Sequence, residues 1–368
     1  MDLHRTRKLG VAGVGALSLV LLAACSSSSS DTSSSAAASA APAATSAAPA
    51  ESAAPAESSA PAATATDAAG PAVVEPGSGA GLKIGYISLG DSLPFVKLVS
   101  DSIKAAADTA GAELLFCDSQ LDPAKALDCA RNFKTQGVQG ILNFQLDEKA
   151  AKQICEAGPD VPVIGIDIHQ RPCEKAFMGA NNTLAGEVAG EALGNFYKEK
   201  FNCEYDAFVK GEQPAAGEVT KMRADGVVTG FEKVCGPIPA DKLRAVNLGS
   251  TTDDGRAAFA DTLTALQGKT NIAVSSINDD TGLGVIAAAK AANRLDDIWL
   301  ISQGADPTSW ENIRTNEHWV GDSAYFPERY GLTAIPAIIK LINGEDPGDL
   351  LTKHEAVNKD NIDQIYPQ

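Results

Sequence analysis

The chain has 368 residues and a formal net charge of −17, with 47 acidic and 30 basic side chains. This excess of negative charge argues against a nucleic-acid-binding surface and against electrostatic binding to anionic lipid. The acidity also favours solubility, which is the simpler explanation for it.

Residues 1–24 have the pattern of a signal peptide, with basic residues up to Lys8 followed by an apolar run over 9–24. The run has 16 residues, and a membrane-spanning helix needs about 20, so an uncleaved anchor helix is the less favoured alternative. The small residues before Cys25 resemble the lipobox of bacterial lipoproteins. This resemblance predicts lipidation of Cys25, anchoring to the cell membrane by acyl chains and an extracytoplasmic location.

Residues 25–80 consist mainly of Ser, Ala, Pro, Thr and Gly, with an imperfect six-residue repeat over 46–51 and 52–57. Such a composition cannot bury a core. It predicts a disordered tether that reaches about 40 Å as a flexible coil and on the order of 170 Å when fully extended.

Six cysteines remain after Cys25, an even number that suggests disulfides in an exported protein. Fifteen pairings are possible, and nearest-neighbour pairing would close three short loops. The alternative is that some of them are small buried hydrophobic residues, and no spacing favours a metal site. The candidates are Cys117, Cys129, Cys155, Cys173, Cys203 and Cys235.

After residue 81, apolar strand-like segments alternate with helical patterns. Strands are predicted at 82–88, 112–116, 138–144, 161–166, 205–209, 243–248, 272–277 and 298–302, with helices from Pro94, Pro123 and Glu148. Repeated strand–helix units predict an α/β fold with parallel sheets, in which ligands bind beyond the carboxyl ends of the strands.

Polar and aromatic residues follow these predicted strands. Aromatic faces can stack on the C–H faces of a polyhydroxylated ring, while carboxylates, amides and guanidinium groups bind its hydroxyls. No catalytic residue and no cofactor is predicted. The candidate ligand-binding residues are Asp91, Phe95, Phe144, Gln145, Asp167, Arg223, Asn278, Asp306, Trp310 and Tyr325.

Short motifs lie in this region at 84–88 with Pro94-Phe95, and at 162–167, 179–182, 223–226, 277–279, 326–331 and 341–344. In their order and spacing they resemble the type I periplasmic binding proteins of the ribose and galactose type, which supply ABC importers. The resemblance covers essentially all of 82–358.

The resemblance implies two Rossmann-like lobes that close about a hinge of several chain crossings. The first lobe would hold 81–181 plus 325–347, and the second 182–324 plus 348–368. The crossings are expected near 181–182, near Ala324 and within 344–350. A monomer is also implied.

The resemblance also assigns roles to single residues. Phe95 would lie under the sugar ring, Asp167 and Asn278 would bind hydroxyls, Arg223 would bind ring or hydroxyl oxygens, and Tyr325 would lie at the hinge. Two departures argue against ribose in the family's usual pose. Ile168 stands where ribose binders have arginine, and the usual Gly-Phe-Asp turn is replaced at 302–306, where Asp306 is expected to substitute for the missing aspartate.

Several of these residues have ordinary structural alternatives. Phe95 and Phe144 fit a hydrophobic core, Arg223 fits a solvated helix face, and Trp310 fits a helix packed against its lobe. The histidines are interpreted as surface or hydrogen-bonded residues.

Three functions are compatible with the sequence. The first is a lipid-anchored receptor that binds a sugar or polyol and delivers it to an ABC permease. The second is a sensory receptor for a similar ligand that acts with a histidine kinase or chemoreceptor. The third is an exported glycan hydrolase, which needs two carboxylates across a cleft, and Asp167 and Asp306 are the available pair.

Overall fold

The computed structural model describes residues 73–348 and 350–368. The predicted signal peptide, Cys25 and most of the predicted tether lie outside the described residues. Within the part that is described, no helix has both the length and the apolar character needed to cross a membrane.

The strands and helices alternate along the chain. The strands are β1 Lys83–Ser88, β2 Glu113–Asp118, β3 Gly140–Asn143, β4 Val163–Ile166, β5 Glu174–Ala180, β6 Ala207–Glu212, β7 Leu243–Asn247, β8 Ile272–Ser275, β9 Ile298–Gly304, β10 Trp319–Ala324, β11 Leu351–Thr352 and β12 Glu355–Val357. The helices are α1 Pro94–Ala110, α2 Pro123–Gln136, α3 Ala151–Ala157, α4 Asn182–Phe201, α5 Glu218–Cys235, α6 Thr252–Ala265, α7 Asp279–Ala291, α8 Pro307–Thr315, α9 Tyr330–Ile342 and α10 Ile362–Ile365.

The strands form two six-stranded sheets, in the orders β11-β5-β4-β3-β1-β2 and β12-β10-β9-β8-β6-β7. All neighbouring pairs are parallel except β10 with β12. The predicted α/β class with two parallel sheets is therefore confirmed.

Burial along the strands follows their position in the sheets. The central strands β3, β4, β8 and β9 are buried at every residue, because helices cover both faces. The edge strands β2 and β7 have no fully buried residue. Hydrophobicity alone therefore detects the central strands best.

Helix α1 shows how sequence signals start and orient an element. Pro94 occupies the first helical turn, where its missing N–H costs nothing, and Gly111 ends the helix in a left-handed conformation. Its buried face includes Val96, Val99 and Ile103, as the helical spacing predicts. The predicted helix from Pro123 is present as α2, with the Asp122 side chain as its N-cap.

Four strands were not predicted: β5, β10, β11 and β12. β5 begins with the charged pair Glu174-Lys175, and β10 contains Asp322 and Ser323, so neither reads as an apolar run. β11 and β12 have only two and three residues, which is too short for a periodic pattern.

The chain crosses between the two sheets at three places: after β5, after β10 and between β11 and β12. The first two crossings lie at the predicted positions. The third follows Thr352 instead of lying within 344–350, because β11 pairs with β5 in the first sheet before the chain crosses. Residues 351–352 thus belong to the first sheet and not to the second lobe, where the sequence analysis puts them.

Three disulfides link neighbouring cysteines along the chain. Cys117 is bonded to Cys129, Cys155 to Cys173, and Cys203 to Cys235, with Cα–Cα distances of 5.8, 5.9 and 5.3 Å. These are the nearest-neighbour pairs. Each one joins elements of the same lobe.

Candidate functional site

A cleft of about 680 Å³ lies where the carboxyl ends of the strands of both sheets face each other. Its apolar lining includes Leu89, Leu93, Val96, Leu146 and Val219. Of the ten candidate ligand-binding residues, seven line it: Phe95, Phe144, Asp167, Arg223, Asn278, Asp306 and Tyr325. The cleft is therefore apolar with a few polar groups, which is typical of small-ligand sites.

The hinge end of the cleft is aromatic. The half-buried ring of Phe95 makes edge contacts with Tyr325 and Tyr330, with centroid distances of 6.2 and 6.0 Å. Phe144 is 4 % exposed at the end of β3. Phe95 and Phe144 thus contribute to the hydrophobic core as well as to the cleft wall.

Asp167 directly follows β4 and has a left-handed backbone conformation, with φ 54°. Its Oδ1 accepts hydrogen bonds from the hydroxyl of Tyr330 at 3.0 Å and from the backbone N–H of Ala180 at 3.2 Å. Burial raises the pKa of Asp167 to about 6, and the positive charge of Arg223 opposes that rise. Among the described residues no hydrogen bond reaches Oδ2, so this oxygen can accept one from a ligand.

Arg223 projects from α5 towards the start of α4. Its Nε and Nη2 donate to Oδ1 of Asn182 at 3.1 and 2.9 Å, and Nη1 donates to the carbonyl oxygen of Ile277 at 3.0 Å. The guanidinium carbon lies 4.8 Å from the centroid of the Tyr325 ring. A guanidinium has five N–H groups, so two remain available to a ligand.

Close helix packing sets the position of Arg223. A Cβ atom at Gly186 in α4 would lie 2.2 Å from the carbonyl oxygen of Arg223, and one at Gly226 in α5 would lie 2.5 Å from the carbonyl oxygen of Thr183. The two helices therefore pack backbone to backbone, and only glycine fits at these points.

Two predicted polar residues also cap helices. Asn278 is the N-cap of α7, with Oδ1 accepting from the backbone N–H of Thr281 at 2.9 Å and Nδ2 donating to Ser250 at 3.2 Å. Asp306 is the N-cap of α8 and accepts from the backbone N–H of Thr308 at 2.8 Å. These hydrogen bonds fix the orientation of both side chains where they line the cleft.

Two further carboxyl groups lie beside them. Asp279 accepts from Ser302 at 2.8 Å and from the backbone N–H of Asp306 at 2.7 Å. Burial, with the negative charges of Asp322 and Asp306, raises the pKa of Asp279 well above its usual range. Burial and Asp306 likewise raise the pKa of Asp280 to about 7.

Three predicted ligand-binding residues do not line the cleft. Asp91 accepts from Ser88 and Ser100 at 2.6 Å each. Nε2 of Gln145 donates to Oε1 of Gln170 at 2.9 Å and to the carbonyl oxygen of Asp147, and its Oε1 accepts from the backbone N–H of Asp147. Trp310 packs against Tyr366, with a centroid distance of 4.5 Å, and donates to the carbonyl oxygen of Ala305. Each follows a strand in sequence, but nearby partners hold its side chain outside the cleft.

The cleft also contains polar residues that are not among the ten candidate ligand-binding residues: Gln213, Thr220, Ser250, Asp279, Asp280 and Gln303. Gln213 directly follows β6, and Ser250 lies three residues after β7. The rule that polar residues after parallel strands face the ligand could have identified these two. Among the described residues, no group of three or more His, Cys, Asp or Glu side chains is arranged to hold a metal ion.

Solved structures share this fold. An ABC transporter solute-binding protein from Bacillus halodurans with bound myo-inositol has a TM-score of 0.64 at 21% identity, covering 78% of this chain and 98% of that one. A solute-binding protein from Mycobacterium smegmatis with bound glycerol has a TM-score of 0.68 at 21% identity, covering 78% and 97%. At these identities the likeness establishes the fold.

Sequence comparison identifies the family. The ribose import binding protein RbsB of Haemophilus influenzae is 24% identical over 258 residues, which are 68% of this chain and 82% of that protein. RbsB of Escherichia coli is 23% identical over 265 residues, with the same coverage. A family model described as the periplasmic binding protein domain matches residues 84–346. The chain therefore belongs to the periplasmic binding protein family.

Proposed function

We propose that this protein binds a sugar or sugar-like polyol outside the cytoplasm and delivers it to the permease of an ABC importer. The observation that carries this proposal is the cleft, where aromatic rings of the first lobe and the hinge meet the carboxyl, amide and guanidinium groups of the second lobe. Those groups match the alternating apolar and hydroxyl surfaces of a polyol.

The relatives support the transport role. The curated relatives are named ribose import binding proteins, and the solved relatives are ABC transporter proteins with polyols bound. In the proposal the protein itself performs no chemistry. Ile168 lines the cleft where an arginine would serve ribose, so the preferred ligand differs from ribose in its hydroxyl pattern.

The proposal includes the route to the membrane. The signal peptide at 1–24 directs export, lipid on Cys25 anchors a monomer, and the tether at 25–80 lets the two lobes reach the permease. The family resemblance and the N-terminal sequence pattern support these steps.

Thermal denaturation tests the binding proposal, using residues 26–368 and a panel of pentoses, hexoses, inositols, glycerol and amino acids. A ligand at 100 times its Kd stabilises the native state by about 2.7 kcal/mol and raises the Tm. We expect a sugar or polyol to do this, and Asp167→Ala or Arg223→Met to abolish the shift.

The matched control is Asp91→Asn, because Asp91 follows a strand like the site aspartate but lies outside the cleft. This variant keeps the ligand-induced shift. A response to amino acids alone, or to no compound in the panel, would refute the proposed function.

A further inference from the structure

Gln303 is the next-to-last residue of β9, and its side chain is 1 % exposed. It lines the cleft beside Gly304 and Asp306. Its position falls where the sequence departs from the family's Gly-Phe-Asp turn. The resemblance therefore assigns it no role, and its own contacts must define one.

The two polar atoms of the Gln303 amide have different surroundings. Oε1 accepts a hydrogen bond from the hydroxyl of Tyr325 at 3.0 Å. Burial raises the pKa of Tyr325, so the hydroxyl stays protonated and remains a donor. This bond turns Oε1 towards the tyrosine. Nε2, on the other side of the amide, has no hydrogen-bond partner in the part of the chain that the structure describes.

A buried donor without a partner destabilises a folded protein, so native structures rarely retain one without a reason. In residues 73–348 and 350–368, seven buried side-chain polar atoms lack a partner. Of these seven, Nε2 of Gln303 is the one whose residue lines the large cleft. The residue with this unmet hydrogen bond thus borders the cleft.

The other polar groups of the cleft and their hydrogen-bond partners indicate the role of this donor. Four carboxyl groups line the cleft, those of Asp167, Asp279, Asp280 and Asp306. The guanidinium of Arg223 and the amide nitrogens of Asn278 and Gln213 already donate to protein atoms, whereas Nε2 of Gln303 donates to no atom of the described residues. A hydroxyl group can donate to a carboxylate and accept from an amide at the same time, whereas an ammonium group can only donate.

We propose that Gln303 is a specificity-determining residue whose Nε2 donates a hydrogen bond to a hydroxyl or ring oxygen of the bound ligand. The inference rests on the proposed function and adds the selection of a neutral, oxygen-bearing ligand at this position. A ligand with an amine or a methylene group there would leave the donor unpaired and bind more weakly.

Calorimetric titration of residues 26–368 tests this inference with D-ribose, D-arabinose, myo-inositol, glycerol and the deoxy analogues of those that bind. Gln303→Met removes the donor, and Gln303→Glu keeps the acceptor for Tyr325 but replaces the donor with another acceptor. We expect each variant to weaken binding by about tenfold or more. We also expect the wild-type preference for the hydroxylated ligand over one deoxy analogue to disappear in Gln303→Met.

Ser323→Ala is the matched control. Ser323 pairs with Gln303 in the neighbouring strand, is fully buried and also has a hydroxyl without a partner, but it does not line the cleft. We expect this variant to keep wild-type affinity and wild-type discrimination. A purely structural role for Gln303 would lower the Tm and leave the discrimination between hydroxylated and deoxy ligands unchanged.

The experiment distinguishes a failure of the proposed function from a failure of the inference about Gln303. If no compound binds the wild type, both the proposed function and this inference are wrong. If a sugar binds the wild type and both Gln303 variants equally, the inference alone is wrong. If the variants do not fold, a crystal structure of the wild type with its ligand decides, since Nε2 must lie within about 3.2 Å of a ligand oxygen.

Discussion

The backbone N–H of Asn181 donates a hydrogen bond to Nε2 of His354, at 3.0 Å, across 173 positions of sequence. Nε2 must therefore be the unprotonated nitrogen, and Nδ1–H donates to the carbonyl oxygen of Ala324 at 3.2 Å. One neutral histidine thus joins all three chain crossings between the two sheets. The hinge has its own side-chain link in addition to the chain connections.

This arrangement predicts loss of stability in acid. Burial lowers the pKa of His354 from 6.5 to about 4, so the unfolded chain takes up the proton first. The contribution of His354 is fully present above pH 6.5 and is lost as the pH falls towards 4, by roughly 3 kcal/mol. Glutamine does not titrate, so the free energy of unfolding of His354→Gln should approach or exceed that of the wild type only at low pH. Urea denaturation of both proteins measures this difference. A constant difference from pH 7.5 to 4 would contradict this.

The stability contribution of Asp167 is expected to have the opposite pH dependence. Its folded pKa of about 6 exceeds the ordinary value of 3.8. The native state therefore keeps the proton to higher pH, and stability from this residue falls as the pH rises from about 4 to 6, by roughly 3 kcal/mol. Asp167→Asn keeps the acceptor oxygen for Tyr330 without the buried charge. In the ligand-free protein it should be more stable than wild type at pH 7.5 and equal to it at pH 4, while ligand affinity falls.

If the Tm of Asp167→Asn stays below that of the wild type at pH 7.5, the buried carboxylate does not destabilise the ligand-free protein. The expected opposition between stability and binding is common at functional sites.

The glycine contacts of α4 with α5 predict that Gly186→Ala destabilises the protein and weakens ligand binding. The new Cβ would lie 2.2 Å from the carbonyl oxygen of Arg223, so the helices must separate. Overpacking of this kind costs about 1–3 kcal/mol, and it also moves the guanidinium away from Asn182. Urea denaturation and calorimetric titration measure the two effects.

The control for the loss of a glycine is Gly158→Ala. Gly158 has φ −77°, and the nearest atom to a new Cβ, the carbonyl oxygen of Cys155, would lie at 3.5 Å, an ordinary van der Waals distance. Binding should stay at the wild-type level in this variant. Equal affinities for Gly186→Ala and wild type would argue against the positioning of Arg223 by close helix packing.

The disulfides predict graded losses of stability. The Cys203–Cys235 bond closes a loop of 32 residues and the Cys117–Cys129 bond one of 12. Chain entropy gives about 4 kcal/mol for the longer loop and about 3 kcal/mol for the shorter. Double Cys→Ser variants, measured by thermal denaturation under oxidising conditions, should therefore lose stability in that order. A dithiothreitol-treated wild type with an unchanged Tm would contradict the contribution of all three bonds.

The local pattern of the sequence was sufficient to predict the fold class. Apolar segments such as β3 and β9 are buried on both faces, so their hydrophobicity is continuous and identifies them without tertiary information. Prolines at 94 and 123 mark helix starts because proline is favoured in the first turn, where its missing N–H costs no hydrogen bond. β11 escaped prediction because a two-residue strand depends on its neighbour β5 and not on its own composition.

The members of the site depended on tertiary structure. Asp91, Gln145 and Asp167 all follow strands, but only Asp167 faces the cleft, because Tyr330, 163 residues away, and Ala180 hold its carboxylate there. Asp91 and Gln145 are engaged by nearby partners instead. Sequence by itself determined the α/β order, since burial patterns are local. Tertiary structure decided which polar groups line the cleft, since that depends on contacts between residues far apart in the chain.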